Sequence, residues 1–408
     1  MSVPLLVRRE VLWRRTRRRA VIYTCSWVPV VLENRPPTVA RLFFLTGYNS
    51  SVNSQHDWLA SWLYSHGIES YSLDNHSFGR STSDDEHRYP AEGFVDVLSR
   101  VASRTFCFHG LRGYIPSWNA LCDDAAWFIK EIEAERGPLP TFIYGESMGG
   151  ALALGTARYL VESGASPLDG LILSAPMCGL SSHARPHAAL VVVGQVLATI
   201  APAAPAPFLK DITDLIFRDP SRRPEARANP LRYTGSTRLR TAFTLKAAAS
   251  TAADDAKVCV APLLLLHGTS DHVCPPDASR SVFESSSSTD KTLLEYQDAW
   301  HALWTEPIDT RRRLLHDLLS WVAARVPGVT QPNDMRPKKT TGSDSEDDEP
   351  SLSPSSTKEA MDRGEPGLRL LRPLGTSSFR DISIWSSKHD PHVVCFHQEG
   401  GEKEGGYN

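Results

Sequence analysis

A serine at position 147 stands in "IYGESMGGALAL" (143–154), where an apolar strand breaks on glycines and an alanine-rich helix begins. Gly145-Glu146-Ser147-Met148-Gly149 is the G-x-S-x-G pattern in the strand, turn and helix setting that it requires. The central serine of such a corner takes a strained backbone conformation, and side chains two residues to either side would collide. The turn holds the hydroxyl clear of the sheet, over a helix N-terminus whose dipole favours developing negative charge. A serine hydroxyl is a poor nucleophile until a base takes its proton, so a histidine and an orienting carboxylate must follow. Behind a serine of this kind they come in the order acid, then histidine. "LLLLHGTSDHVCPP" supplies Asp271 in the loop after an apolar strand, and "LLEYQDAWHALWTEP" supplies His301 just after the next. Asp298 is a rival acid, but it stands in the same loop as His301, and Asp271 is preferred. Singly, such an Asp is a cap or turn residue and such a His a surface residue; in this order they predict a serine nucleophile acting on acyl carbon.

That chemistry also needs donors for the tetrahedral oxyanion. One is the backbone N–H after the nucleophile, Met148. The other comes from the loop after an early strand, where "LFFLTGYNSS" offers Tyr48. Losing one such donor typically costs about 3 kcal/mol of transition-state stabilisation.

These residues need elements to carry them. "RLFFLTG" (41–47), "IESYSLD" (68–74), "TFIYG" (141–145), "LILSA" (171–175), "PLLLLHG" (262–268) and "TLLEY" (292–296) read as strands. Helical faces lie between them, with Trp58, Leu59, Trp62 and Leu63 on one and Leu121, Ala125, Phe128 and Ile132 on another. Apolar strands alternating with helices predict a mostly parallel sheet covered on both faces, with chemistry at the carboxyl ends of the strands.

The chain has 408 residues, 41% hydrophobic and 22% charged, with net charge −3, so it suffices for one large core and has no global pull toward nucleic acid. Arginines crowd residues 8–19, as on an edge hairpin that discourages sheet-to-sheet pairing or on a surface drawn to anionic membrane. Seven scattered cysteines, never in C-x-x-C spacing, and no signal-peptide pattern read as reduced thiols of a cytosolic protein. The apolar stretch 188–202 is too short to span a bilayer. From 327 to 408 the composition turns to Ser, Pro, Lys, Asp, Glu and Gly, including "SDSEDDE" (343–349), and a disordered tail is expected.

The chain resembles the monoacylglycerol lipase-like branch of the α/β-hydrolases, a group that includes plant lysophospholipase-like and caffeoylshikimate esterase-like enzymes and is related to serine aminopeptidases. "FGRS", "GYIPSWNALCDD", "GESMGGALAL", "LSAPMC", "FRDPSRRPEARANPLRYTG", "LLLLHGTSDHVCPP" and "YQDAWHALWTEP" carry the resemblance, over most of residues 20–326. It implies an α/β-hydrolase fold with a helical cap, a catalytic domain over 1–326, and nucleophile, acid and base at Ser147, Asp271 and His301. It implies oxyanion amides at Tyr48 and Met148 and no metal or organic cofactor. Two features depart from the family: Thr46-Gly47 stands where His-Gly is usual, and residues 84–109 form an insertion, either an extra surface helix or a retained intron.

The long crossover between "LILSA" and the Asp271 strand marks a cap, about 177–256. Its segment 187–208 is apolar around nearly its whole circumference, as in a helix packed on its neighbours or one that lines an acyl tunnel and faces lipid. The expected activity is hydrolysis of single-chain lipid esters, monoacylglycerol or lysophospholipid, by a cytoplasmic protein that can associate peripherally with membranes. A catalytically silent scaffold, motivated by Thr46 and the insertion, is one alternative. A peptidase of the serine aminopeptidase type is another, with Asp211, Asp214, Asp219 and Glu225 as candidate acids for a free amino terminus.

Overall fold

Strands that are apolar on both faces must be covered on both, and the chain builds its layers accordingly. The computed structural model describes residues 7–17, 20–29, 37–81, 111–165, 167–179, 188–206, 209, 211–331, 369–370 and 385–386. Among these, one eight-stranded sheet comprises β1 (Val7–Arg15), β2 (Val21–Pro29), β3 (Ala40–Leu45), β4 (Ile68–Leu73), β5 (Thr141–Glu146), β6 (Gly170–Ser174), β7 (Leu263–Gly268) and β8 (Lys291–Tyr296). Its order is β1-β2-β4-β3-β5-β6-β7-β8. β2 runs antiparallel to both neighbours, and the pairings from β4 through β8 are parallel. The arginine-rich N-terminal segment lies at the sheet edge, as expected, but supplies only the first strand of the hairpin; the second, β2, lies beyond residues 8–19.

Side chains alternate across the sheet with period two. Phe43, Leu45, Ile143, Leu171, Leu173, Leu263 and Leu265 point into one core. Leu42, Phe44, Phe142, Tyr144, Ile172, Leu264 and Leu266 point into the other. The first core is closed by α2 (Trp118–Arg136) and α3 (Met148–Glu162). The second is closed by α1 (Ser54–Tyr64) and, at the other end of the chain, Ile308–Ala323. On α1 the expected face is narrower than its pattern: Leu59, Trp62 and Leu63 are buried, while Trp58 stays 37% exposed and stacks on Trp62.

The crossover from β6 to β7 carries α4 (Ala188–Ile200), α5 (Thr213–Ile216), α6 (Arg222–Ala228) and α7 (Leu239–Val258). The structure divides the expected cap of 177–256. Ala248, Ala249, Ala252 and Ala256 of α7 pack into the first core, because small side chains let it lie close on α3, so most of α7 is a layer of the body. The cap proper ends near the start of α7, where Ala198, Ala206 and Leu239 form a small separate cluster.

After β7 come α8 (Pro276–Ser285), β8 and α9 (Ile308–Ala323). Packing continues past the composition change at 326–327, since Val329 is buried and the Thr330 N–H donates to the His66 carbonyl. The insertion 84–109 lies outside the described residues, as does nearly all of 332–408. There, Arg369–Leu370 pairs antiparallel with Trp385–Ser386, in a unit distinct from the sheet domain.

Phe43 is 1% exposed, stacked on Tyr71 and edge-on to Phe128 at centroid distances of 5.2 and 5.7 Å. Phe43→Ala should lower the unfolding free energy by about 3–5 kcal/mol in a urea titration, the range for truncating a fully buried aromatic.

Candidate active site

Ser147 ends the β5 strand with φ 56° and ψ −120°, and α3 begins at the next residue. Positive φ at a non-glycine residue is strained and persists only where its surroundings over-determine it. They do so here. The Ser147 N–H donates to the Ser174 carbonyl at 3.0 Å, and its own carbonyl accepts from Gly150 and Met177 at 2.9 and 2.8 Å. A methyl group on Gly145 would overlap the Gly149 carbonyl, and one on Gly149 would overlap the Leu45 carbonyl. The glycines are therefore steric requirements of the corner, because helix α3 enters against the ends of β5 and β3.

His301, on the loop after β8, brings Nε2 to 2.9 Å from Ser147 Oγ. Its Nδ1 lies 2.7 Å from Asp271 Oδ2. A carboxylate only accepts, so Nδ1 carries the hydrogen and Nε2 is left to accept from the serine hydroxyl. Asp271 sits in the loop after β7. Its Oδ1 accepts the N–H groups of Val273 and Cys274 at 2.7 and 2.9 Å, and its Oδ2 is also 3.1 Å from His267 Nε2. The rival Asp298 is exposed and takes the Gln297 side-chain amide instead. The structure thus brings Ser147, Asp271 and His301 together and leaves Asp298 aside.

Burial acts to raise the Asp271 pKa, but the charge of His301 and hydrogen bonds from His267 and His301 outweigh it and hold the carboxyl well below its usual range. Burial acts to lower the His301 pKa; the Asp271 charge and hydrogen bond, with the charge of Glu146, raise it above the ordinary histidine value. Glu146, beside the serine, has its own pKa raised by burial, against the charge of His301. An imidazolium at 301 is thus favoured by two carboxylates.

The loop after β3 abuts the corner, with a methyl group on Gly47 falling 3.3 Å from Ser147 Cβ. Among the described residues neither the Tyr48 nor the Met148 N–H has a backbone acceptor. Thr46 is 3% exposed and its side-chain and backbone oxygens lie 3.4 Å from Asn75 Nδ2, so the Asn75 amide anchors the loop at this residue. Asn49, at φ 60°, joins the loop to the cap: its Nδ2 donates to the Tyr233 carbonyl and its Oδ1 accepts the Tyr233 N–H, both at 2.7 Å. The Tyr48 hydroxyl adds a 3.3 Å bond to Thr237 Oγ1. A second tie joins the cap to the His301 loop, where Ala302 N–H donates to the Ile216 carbonyl at 3.2 Å and Arg218 reaches buried Glu306 at 3.5 Å.

Sequence reasoning missed His267, Asn49, Asn75 and Glu306. His267 had a usable signal, four residues before Asp271 at a strand end. Asn49 had none, since its partner is 184 residues away.

Comparison with known proteins agrees with this architecture. The family model described as serine aminopeptidase, S33, matches residues 36–308. Caffeoylshikimate esterase of Arabidopsis thaliana is 28% identical over 220 residues, 53% of this chain and 65% of that enzyme, so the match spans just under two thirds of the plant enzyme. A putative monoglyceride lipase of Schizosaccharomyces pombe is 25% identical over 311 residues, covering 74% of this chain and 71% of the relative. The crystal structure of a soluble variant of monoglyceride lipase from Saccharomyces cerevisiae superposes with a TM-score of 0.59 at 18% identity, over 80% of this chain and 99% of that one. At that identity the likeness concerns the fold, which is that of the α/β-hydrolases.

Gly149→Ala tests the corner. The added methyl should destabilise the protein by about 3 kcal/mol, the upper part of the overpacking range, measured as a lowered denaturant midpoint.

Proposed function

The chain belongs to the serine aminopeptidase S33 family, and from that premise we propose that it is a serine hydrolase of single-chain lipid carboxylic esters, a monoacylglycerol lipase or lysophospholipase. The observation that carries the reading is the continuous Ser147–His301–Asp271 hydrogen-bond chain, at 2.9 and 2.7 Å. Similarity to proteins named as a caffeoylshikimate esterase and a monoglyceride lipase supports ester chemistry.

In this reading His301 Nε2 accepts the Ser147 proton as Oγ attacks the acyl carbonyl. Asp271 holds the imidazole and offsets the charge it gains. The Tyr48 and Met148 amides receive the oxyanion. The tetrahedral intermediate collapses, the C–O bond to the alcohol breaks, and His301 returns its proton to the departing oxygen. Water, deprotonated by the same nitrogen, then cleaves the acyl-enzyme and restores Ser147. A dehalogenase reading of this fold would need a carboxylate where Ser147 stands.

The cap speaks for lipid rather than peptide. Three of the four candidate acids pair with arginines: Asp211 with Arg227 and Arg232, Asp214 with Arg223 and Arg227, and Glu225 with Arg222. The fourth, Asp219, accepts the Ser221 N–H of its own turn at 2.8 Å, so the set is poorly suited to hold a free amino terminus. On α4, Gly194 and Ala198 form the buried seam, while Val192, Val193, Val196 and Ile200 are 55–64% exposed. Grouped exposed aliphatic side chains of this kind mark an interaction surface, and a lipid interface fits them, bringing the cap to the substrate's source. Among the described residues no helix is long and apolar enough to cross a membrane.

Wild-type protein should be labelled by a fluorophosphonate probe and should hydrolyse medium-chain monoacylglycerol or lysophospholipid in preference to an aminoacyl-naphthylamide. Ser147→Ala should abolish labelling and lower turnover by roughly a million-fold; undiminished labelling of Ser147→Ala would reject the reading. The joint substitution Val192→Glu and Val196→Glu should reduce sedimentation with phospholipid vesicles while hydrolysis of a water-soluble short-chain ester stays unchanged.

A further inference from the structure

A second histidine shares the acid of the site. His267, next to last in strand β7 before the Asp271 loop, is 1% exposed and is not needed by the proton transfers described above. Its Nε2 faces two acceptors, Asp271 Oδ2 at 3.1 Å and the Cys274 carbonyl at 3.0 Å. Its Nδ1 lies 2.8 Å from the hydroxyl oxygen of Ser279 on α8, itself 1% exposed. Carbonyl and carboxylate oxygens only accept, so Nε2 must carry a hydrogen. In the neutral ring Nδ1 is then a lone pair that accepts from the Ser279 hydroxyl. The two acceptor oxygens thereby fix the tautomer that presents an N–H to the carboxylate, and the Ser279 hydroxyl holds the ring from its other nitrogen.

We propose that His267, oriented by Ser279, is a positioning residue that fixes the plane of the Asp271 carboxylate so that Oδ2 meets His301 Nδ1; this rests on the serine-hydrolase reading above. The backbone N–H groups of Val273 and Cys274 hold Oδ1 and leave the carboxylate free to turn about that oxygen. A donor on Oδ2 removes the freedom. His267 reaches that atom from the strand side and His301 from the loop side, so one oxygen is clamped between two imidazoles. The clamp also divides the carboxylate's charge, which sets how strongly Asp271 supports a proton on His301. The titratable groups facing His301 are Asp271 and Glu146, and those facing Asp271 are His301 and His267.

A side chain that merely filled the core would affect stability and leave the titration of His301 alone. The test is therefore the pH profile of kcat/KM on a soluble ester, with kcat and KM measured separately. In wild-type protein His301 must be neutral to act as base, so activity should rise with pH through a midpoint above the ordinary histidine value of about 6.5. His267→Leu removes the donor, leaving the Oδ2 charge to His301 alone. It should move that midpoint upward and lower kcat by about tenfold to a hundredfold, the scale of outer hydrogen bonds on metal-bound histidines, with KM little changed. His267→Gln keeps an N–H donor and should recover most of the loss. Ser279→Ala removes the hydrogen bond that holds the His267 ring at Nδ1 and should give a smaller shift in the same direction; it also serves where His267→Leu does not fold. Wild-type kcat and midpoint in folded His267→Leu, or in Ser279→Ala, would overturn the proposal. Wild-type protein with no Ser147-dependent turnover would instead overturn the hydrolase reading on which it stands.

Discussion

The Asp271 side chain has no exposed surface, and an ionised carboxylate removed from water persists only when donors replace its hydration. Here four donors do so: two backbone amides of its own turn and two imidazoles. The turn that supplies the amides exists because β7 ends at Gly268 and the chain must reverse before α8. His267 is available because it lies in the same strand. His301 arrives because β8 pairs in parallel with β7 and ends beside it, with Gly268 opposite Tyr296. Sheet register thus does the positioning, and the hydrogen bonds refine it.

The serine side is organised by a different constraint, close packing rather than charge. The strained Ser147 backbone is held by carbonyls and amides of β6 and the segment after it, while glycines admit α3 against the ends of β3 and β5. Strain of this kind needs a rigid frame, and the parallel strands buried on both faces supply one. The two halves meet where His301 spans from the acid to the hydroxyl.

The cap is joined to two loops of the candidate site, through Asn49 and Tyr233 on the Tyr48 side and through Ile216 and Arg218 on the His301 side. Movement of the cap would therefore be felt at the loop carrying Tyr48 and at the loop carrying His301. The Asn49 side chain pairs with the Tyr233 backbone as a strand neighbour would, which is why a polar residue with positive φ suits that position.

Local pattern by itself determined six of the eight strands of the sheet, the helix-bearing crossovers, the glycine-framed serine and the placing of Asp271 and His301 after successive strands, because periodicity and turn chemistry are written in neighbouring residues. The extent of the cap was not legible: α7 lies within the long crossover and becomes a body layer because its alanines meet α3. The choice of Asp271 over Asp298 was indicated by the place of Asp298 in the same loop as His301, but the reason for it, four converging donors against an exposed position, lies in the fold. The tie between Asn49 and Tyr233 and the sharing of one carboxylate oxygen by His267 and His301 were decided by tertiary structure alone. Such contacts join residues whose separation along the chain carries no periodic signature, and only the folded sheet and crossover bring them within hydrogen-bond distance.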